Sequence, residues 1–342
     1  MTQLITVMLL FGGESSEHTV SISSARNVFA ALDETKFDVE LAFIDKSGKW
    51  WLLDSFDQAS DLSDAPQLVP ILGTKKFTTL PNTKFVTPDV ILPILHGENG
   101  EDGTVQGLAR LLHIPIVGCE IATSAICIDK VLTKQLLEQN GIVTVPYAVH
   151  LAGEPLPSFS QLSAQLGDAL FIKPAGCGSS VGVNKARNDE ELASVLDEAH
   201  KFDAKVLIEK AINARELEVA MLGNGASAKA SGVGEIRPDS EFYTFESKYS
   251  ASSQSQAIIP ADIDSELSEQ IRAIAVKAFA VVGGQGLSRI DFFLSDDGTL
   301  YLNEINTLPG FTNISMYPKL WRQEGLSYSA LIEALITNAL DK

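Results

Sequence analysis

The sequence predicts a mixed fold, in which an α/β domain with a parallel sheet precedes two α+β domains. Three observations support this prediction. Short apolar runs alternate with a helical pattern in the first third of the chain, which is the strand–helix–strand order of a parallel sheet. Several strand-like segments surround one helix in the middle third. Near the end, two runs of alternating polar and apolar residues flank the turn SDDGT. We expect three domains, at 1–118, 119–208 and 209–342.

The elements of the first domain follow from short apolar runs and turn signals. LITVMLLF predicts a buried strand because it is short and is closed by Gly12-Gly13. Apolar residues then recur at helical spacing, and Ser15 or Ser16 is expected to cap that helix. FDVELAFI and DVILPIL predict two further strands, and KSGKWWLL predicts a hairpin.

The rest of the chain contains further helices, strands and one long loop. The segment 129–139 is helical and ends at the stop signal Asn140-Gly141. Further helices are predicted at 189–200 and 265–282, and strands at 143–149, 169–173, 181–185 and 205–209. The stretch 240–259 is polar and has no periodicity, so we expect a mobile loop there.

Composition excludes several classes of protein. The 342 residues carry a formal net charge of −18, whereas a general nucleic-acid-binding surface is basic. The three cysteines lack the spacing of a zinc site or a disulfide framework. No apolar run approaches the ~18 residues of a membrane span. We therefore expect a cytoplasmic protein that binds small molecules, with neither nucleic acid nor membrane as a partner.

Lys173 ends an apolar strand and precedes the glycine- and serine-rich loop in FIKPAGCGSSVGV. A glycine-rich loop beside a lysine is typical of a phosphate site, but a P-loop has its glycines before the lysine. The loop joins two predicted strands of an antiparallel sheet, so a phosphate-binding loop of another kind is one interpretation. A flexible turn with a lysine nearby is the alternative.

Two alternating strands carry the strongest candidate for a metal site. Arg289 and Asp291 are two residues apart and share a face of LSRIDFFL. Glu304 and Asn306 likewise share a face of LYLNEIN, and the intervening turn predicts an antiparallel hairpin. If the faces coincide, Asp291, Glu304 and Asn306 offer oxygen ligands only, which suits Mg²⁺ or Mn²⁺. A solvent-facing hairpin with ordinary charges is the alternative.

Two further positions are candidates for substrate binding. The stretch LHGENGEDGTVQGL follows a strand that ends at His96, and its backbone N–H groups could receive an anion. Glu17 follows the first strand, at the carboxyl end where open α/β sheets bind ligands, and could hold a substrate amine. A structural histidine and a glutamate that favours the helix dipole are the alternatives. The turn-rich NTLPGFTNISMYP could wrap a small substrate with the Gly310 amide and the Ser315 hydroxyl.

The order of these motifs resembles the ATP-grasp superfamily, and within it the D-alanine–D-alanine ligases. Six segments carry the closer resemblance: FGGESSEHTVS, LHGENGEDGTVQGL, KPAGCGSSVGV, ESKYS, SRIDFF and NEINTLPGFTNISMYPKLW. The resemblance extends from the first strand to about Leu320. It implies an ATP-grasp fold, in which two α+β domains clasp ATP behind an N-terminal substrate domain. It also implies a ligase that joins two D-alanine molecules through an acyl phosphate, for peptidoglycan synthesis.

The resemblance implies roles for individual residues. ATP would be bound by Lys130, Lys173, Ser180, Glu209, Lys210, Ile212, Glu216 and Lys248. Two Mg²⁺ or Mn²⁺ ions would be bound by Asp291, Glu304 and Asn306. Catalytic roles would fall to Glu17, Ser179, Tyr249, Arg289, Gly310 and Ser315, and further substrate contacts to His96 and Met316. The loop after Lys173, which lies between two antiparallel strands, would act as a flap that covers the phosphates. The polar loop at 240–259 would act as a lid that excludes water.

Rival interpretations concern the second substrate and the presence of catalysis. Some relatives join D-alanine to D-lactate or D-serine, and the resemblance implies that Tyr249 and Met316 favour D-alanine instead. A nucleotide-binding regulator without catalysis is the alternative from another class. The complete set of lysines, carboxylates and Arg289 argues against that regulator. The resemblance also implies a homodimer formed through the first domain.

Overall fold

The computed structural model describes residues 4–178, 181–237 and 256–341, which contain three sheets with helices packed on them. This architecture confirms the predicted fold class, with parallel pairing in the first sheet and antiparallel pairing in the other two. The domain boundaries at 118 and 208 stay a prediction. No helix within the described ranges is long and apolar enough to cross a membrane.

The first sheet has seven strands in the order β6-β5-β4-β3-β2-β1-β7. They are β1 (Ile5–Gly12), β2 (Phe37–Ile44), β3 (Trp50–Leu53), β4 (Gln67–Ile71), β5 (Lys76–Leu80), β6 (Phe85–Val86) and β7 (Val90–Ile94). Only β2, β1 and β7 pair in parallel, and the predicted hairpin is the antiparallel pair β2–β3. Strands β4, β5 and β6 were not predicted, because they lie in a stretch interrupted by prolines.

Helices α1 (His18–Ala31) and α2 (Thr104–Leu112) follow the ends of β1 and β7. The prediction that Ser15 or Ser16 caps α1 is wrong, because the residue before the helix is Glu17 and no side chain caps it. The Ser15 hydroxyl instead donates to the carbonyl oxygen of His96 at 2.7 Å, which ties the two strand ends together. Gly12 has a φ of +95°, and a Cβ atom there would lie 2.1 Å from the carbonyl oxygen of Ile44. Only glycine therefore fits at the end of β1.

The second sheet has four antiparallel strands in the order β10-β9-β11-β8. They are β8 (Tyr147–Leu151), β9 (Leu170–Pro174), β10 (Asn184–Ala186) and β11 (Lys205–Lys210), covered by α5 (Phe159–Leu166) and α6 (Asp189–Ala199). Helices α3 (Ile121–Ile128) and α4 (Lys130–Gln139) precede them, and α3 was not predicted. The Lys210 N–H donates to the Pro146 carbonyl at 3.0 Å, so the chain leaves this sheet beside the point where it entered.

The third sheet has five antiparallel strands in the order β14-β13-β12-β15-β16. They are β12 (Ala214–Leu222), β13 (Lys229–Arg237), β14 (Gln256–Ile258), β15 (Leu287–Ser295) and β16 (Leu300–Asn306). Helices α7 (Ser265–Val281) and α8 (Met316–Gln323) pack on it, whereas α9 (Tyr328–Leu340) packs against α8, α1 and β7 of the first sheet. The predicted loop is wrong at its end, because Gln256–Ile258 pairs with β13, and 240–255 lies outside the described residues.

Candidate active site

A row of three carboxylates crosses the third sheet. Asp291 on β15 is paired in register with Glu304 on β16 and with Glu218 on β12, so the three residues lie side by side. The hairpin of β15 and β16 is therefore confirmed, with the faces of the two strands coinciding as expected. Glu218 was missed, because β12 lies about 70 residues away in the sequence and its pairing with β15 is not a hairpin.

Arg289 supplies the positive charge beside this row. Its Nε and Nη2 atoms donate to the two oxygens of Asp291 at 2.7 and 2.6 Å, a bidentate pair. Its Nε atom also lies 3.2 Å from the Glu218 carboxylate. Burial lowers the pKa of Arg289, but Asp291 and Glu218 outweigh it and raise that pKa above its ordinary value. The guanidinium therefore stays charged next to the carboxylates.

Asn306 completes the row at the end of β16. Its side-chain amide donates to Asp291 at 3.0 Å and lies 3.5 Å from Glu304. The structure therefore brings the three predicted metal ligands together. Within the described ranges, no group of three or more histidine, cysteine, aspartate or glutamate side chains is placed to hold a metal ion. An ion bound here would need the Asn306 amide and oxygens from a ligand or water to complete its shell.

The second sheet carries a buried charge triad. Glu209 is 3% exposed at its side chain, and its two oxygens contact Lys134 at 2.6 Å and Lys173 at 2.5 Å. Burial raises the pKa of Glu209, but the two lysines outweigh it and hold the pKa at about 2. The pKa of Lys173 is raised because Glu209 outweighs burial, and burial lowers that of Lys134.

Lys134 was missed in the sequence, because a lysine in an amphipathic helix normally faces solvent, whereas here it is buried. Lys173, as predicted, lies on a strand immediately before the glycine-rich loop. Glu209 raises the pKa of Lys173 most among the carboxylates, and Glu304 and Glu216 on the third sheet raise it further. Lys173 therefore lies between the two sheets, where a bound anion would meet both a lysine and the carboxylate row.

The base of the glycine-rich loop is held by polar contacts. Lys130 Nζ donates to the carbonyl oxygen of Cys177 at 2.6 Å, and the Gly176 N–H donates to Asp203 at 2.7 Å. The loop connects the paired strands β9 and β10, as expected for a flap between antiparallel strands. Ser179 and Ser180 lie outside the described residues, as do Lys248 and Tyr249.

The first sheet contributes Glu17 and His96, both buried. The Nδ1 atom of His96 lies 3.2 Å from the carbonyl oxygen of Leu308, while its Nε2 atom is buried without a hydrogen-bond partner among the described residues. Burial lowers the pKa of His96, and Glu17 opposes that shift only in part. The contact with Leu308 joins the end of β7 to the segment after β16, so residues of the first and third sheets face one site.

In the loop at residues 97–104, carboxylates of the loop itself engage three of the amides that were expected to receive an anion. Glu101 accepts from the Gly97 N–H at 2.7 Å and from the Leu308 N–H at 3.3 Å. Asp102 accepts from the N–H groups of Asn99 and Thr104 at 2.8 and 2.9 Å. Burial, then Glu17, raises the pKa of Glu101 to about 8. Glu101 was missed because its neighbours suggested a helix start.

The segment after β16 folds back on itself before α8. The Ser315 hydroxyl accepts from the Thr312 N–H at 3.0 Å, and a Cβ atom at Gly310 would lie 2.8 Å from that hydroxyl. A side chain at 310 would therefore displace the Ser315 hydroxyl from its contact with Thr312. The Met316 side chain is 4% exposed and packs where a Cβ atom at Gly234 would meet it, so its side chain belongs to the core.

The remaining predicted ATP-binding residues lie at the ends of β11 and β12. Lys210 is exposed at the last position of β11, and Ile212 follows it. Glu216 lies on β12 opposite Phe293. The Glu209 side chain is engaged with two lysines, so an adenine would meet the backbone there rather than a free carboxylate.

Comparison with known proteins places this arrangement in a family. Residues 6–119 match the family model "D-ala D-ala ligase N-terminus", and residues 136–337 match "D-ala D-ala ligase C-terminus". The chain belongs to the D-alanine–D-alanine ligase family. It is 44% identical to D-alanine–D-alanine ligase A of Chromobacterium violaceum, over 99% of this chain and 96% of the relative. It is 42% identical to the ligase A of Escherichia coli K12, with the same coverage.

Solved structures of the family have the same fold. The D-alanine–D-alanine ligase from Coxiella burnetii superposes with a TM-score of 0.89 at 34% identity, over 99% of this chain and 95% of that one. The VanG D-Ala:D-Ser ligase from Enterococcus faecalis also reaches 0.89, at 33% identity, over 98% of this chain and 100% of that one. The backbone fold is thus shared by ligases named for different second substrates.

Proposed function

We propose that this protein joins two D-alanine molecules at the expense of ATP, forming D-alanyl-D-alanine, ADP and phosphate for peptidoglycan synthesis. Family membership over nearly the whole chain supports this proposal. The observation that carries it is the contact of His96 with Leu308, because it places the substrate side of the first sheet against the carboxylate row of the third.

The lysines would bind the triphosphate of ATP. Lys130 and Lys173 flank the glycine-rich loop, and Lys248 would close over the phosphates from the polar segment. Ser179 and Ser180 would cover the phosphates from the tip of the loop. The edge of β11 at Glu209, Lys210 and Ile212 would meet the adenine, and Glu216 the ribose hydroxyls.

Asp291, Glu304 and Asn306 would hold two Mg²⁺ or Mn²⁺ ions together with phosphate oxygens. The donor set fits these ions because every donor is a hard oxygen. Such ions would neutralise charge on the phosphates. Glu218, which lies in the same row, would add negative charge but already contacts Arg289.

The substrates would react between these groups. Glu17 would bind the amine of the first D-alanine, connected through Ser179 to Tyr249, and His96 would line its site. The carboxylate of this D-alanine attacks the γ-phosphorus of ATP, ADP leaves, and an acyl phosphate forms. The amine of the second D-alanine then attacks the acyl carbon, loses a proton and expels phosphate.

The groups around the acyl carbon would stabilise the tetrahedral intermediate. Arg289 carries a permanent charge beside the row, and the Gly310 amide follows the segment that Leu308 anchors. Preorganised donors of this kind stabilise developing negative charge on oxygen. Ser315 and Met316 would position the second D-alanine from the start of α8, with the Met316 side chain itself buried.

A phosphate-release assay tests the proposed activity. Wild-type protein with ATP and Mg²⁺ should release phosphate with D-alanine and not with L-alanine, and the dipeptide should appear by mass spectrometry. If the protein binds ATP but releases no phosphate in response to D-alanine, the nucleotide-binding regulator would be indicated instead. Glu17→Gln should raise the KM for D-alanine, whereas Glu14→Gln, on the exposed side of the same turn, should not.

The second substrate could be D-serine or D-lactate, and the similarity to the VanG D-Ala:D-Ser ligase makes this the alternative to test. Tyr249 and Met316 support D-alanine. The same assay with D-serine or D-lactate added identifies the second substrate, because an enzyme that accepts either one would form a mixed product from it and D-alanine. Tyr249→Phe should admit D-lactate, and equal D-lactate turnover by variant and wild type would contradict this assignment.

The protein would act in the cytoplasm as a homodimer. Exposed apolar side chains in the N-terminal part of the chain support a dimer surface there: Leu72, Leu80, Phe85 and Leu111. Sedimentation velocity tests this, and replacement of Leu72 and Leu111 by serine should shift a dimer to monomers.

A further inference from the structure

Glu101 is a partly buried carboxylate that the proposed reaction leaves without a role. It lies among other acids, since Glu17 and, more weakly, Glu304 raise its pKa together with burial. Placing a third carboxyl group there is unfavourable, because like charges and low dielectric both penalise its ionised form. A side chain kept in such a place is a candidate for a functional role.

The contacts of Glu101 indicate what that role is. One oxygen accepts from the Gly97 N–H at 2.7 Å, and the other accepts from the Leu308 N–H at 3.3 Å. The carbonyl of the same residue, Leu308, lies 3.2 Å from the His96 ring. Leu308 is therefore held at its N–H by Glu101 and at its C=O by His96, and Glu101 also binds the Gly97 N–H.

This clamp connects the two halves of the site. Gly97 lies next to Glu17, whose Oε2 atom would be 3.6 Å from a Cβ atom placed on that glycine. Leu308 lies two residues after Asn306 and two residues before Gly310. A shift of Leu308 would therefore move the Gly310 amide relative to the side chain that binds the first substrate.

We propose that Glu101 is a positioning residue, which fixes the backbone at 308–310 against the substrate side of the first sheet. The expected effect on the reaction of D-alanine rests on the proposed ligase function. The positioning of residues 308–310 rests on the contacts alone. Misplacement of a reacting group by about 1 Å can reduce a rate by about 100-fold. Loss of the clamp should therefore impair the reaction of D-alanine and leave ATP binding intact.

Glu101→Ala and the isosteric Glu101→Gln test this, with Asp102→Asn as the matched control. Asp102 is the neighbouring acid and also accepts from two backbone N–H groups, but both belong to its own loop. Glu101→Ala should lower kcat/KM for D-alanine by about 100-fold. The kcat/KM of Glu101→Gln should lie between those of the wild type and Glu101→Ala, because the glutamine amide retains one acceptor oxygen. The ATP dissociation constant should change by less than about threefold in every variant.

Hydrogen exchange of the peptide that covers 306–311 gives a readout that does not depend on activity. That peptide should exchange faster in both Glu101 variants than in the wild type and the Asp102 control. Unchanged exchange there, or an equal loss of ATP affinity and D-alanine turnover, would overturn the inference. If Glu101→Ala does not fold, Glu101→Gln decides by the same criteria. An inactive wild type would refute the ligase function, and the exchange result would then decide the clamp by itself.

Discussion

Replacing Glu209 by glutamine tests the buried charge triad most directly. The wild-type carboxylate has 3% of its side chain exposed and contacts Lys134 and Lys173 through separate oxygens. Glutamine has nearly the same shape, so the change removes the charge and leaves the packing intact. The two lysines then face each other in the protein interior without the carboxylate that lies between them.

The lowered pKa of Glu209 gives the size of the effect. The pKa falls from 4.5 to about 2, and each tenfold change in proton affinity corresponds to about 1.4 kcal/mol, so the charge contributes about 3 kcal/mol. Removing one partner of a buried ion pair costs about 3–5 kcal/mol, which agrees with this figure. Because the folded-state pKa is depressed, this contribution is present above pH 4.5 and is lost as the pH falls through about 2.

Hydrogen exchange of β9 and β11 measures the change where it occurs. At pH 7, Glu209→Gln should reduce the protection of these strands by about 3 kcal/mol. Between pH 5 and pH 2, wild-type protection should decrease toward that of the variant. Glu198→Gln is the control, because Glu198 pairs with Lys201 on the exposed side of α6 and should contribute less than about 0.5 kcal/mol. Protection of β9 and β11 that is equal in wild type and Glu209→Gln would refute the reasoning.

Two further predictions concern the strand ends and the carboxylate row. Gly12→Ala should destabilise the protein by more than about 3 kcal/mol in urea unfolding, because its Cβ atom would overlap the Ile44 carbonyl, whereas Gly73→Ala has open space and should cost about 1 kcal/mol. Comparable unfolding midpoints for the two variants would contradict this. Glu304→Gln should reduce turnover by about 100-fold or more and raise the Mg²⁺ concentration needed for half-maximal rate. Full activity and unchanged Mg²⁺ dependence would remove Glu304 from the site.

The parts of the site that could be predicted are those encoded over short distances in the sequence. Alternation along LSRIDFFL and LYLNEIN, with a turn between them, was sufficient to place Asp291 beside Glu304, because a hairpin pairs adjacent segments. Glu218 joins the same row through a strand that is remote in sequence. No local pattern specifies that pairing, since it depends on the order of strands in the finished sheet.

The parts that were missed are residues whose environment is set by tertiary packing. Lys134 has the sequence context of a surface lysine, and its burial is compensated by Glu209 on the neighbouring sheet and by the Val145 carbonyl, to which its Nζ atom donates. The acids of the loop at 97–104 suggested a helix start, whereas Glu101 and Asp102 fold back onto the amides that an external anion was expected to occupy. Strand β13 was missed because KASGVGEIR contains two glycines and lacks a regular alternation.

The entry and exit of the second sheet lie side by side, where the Lys210 N–H meets the Pro146 carbonyl. Residues 147–209 therefore form a segment whose two ends lie within hydrogen-bond distance of each other. The ends of this segment can therefore be joined by a short linker without stretching any strand. The segment has a hydrophobic cluster of its own, which includes Leu170, Ile172, Leu196 and Val206. Lys173 is carried on this segment, whereas Lys130 and Lys134 lie on α4 outside it, so the buried triad around Glu209 links the segment to the preceding helix.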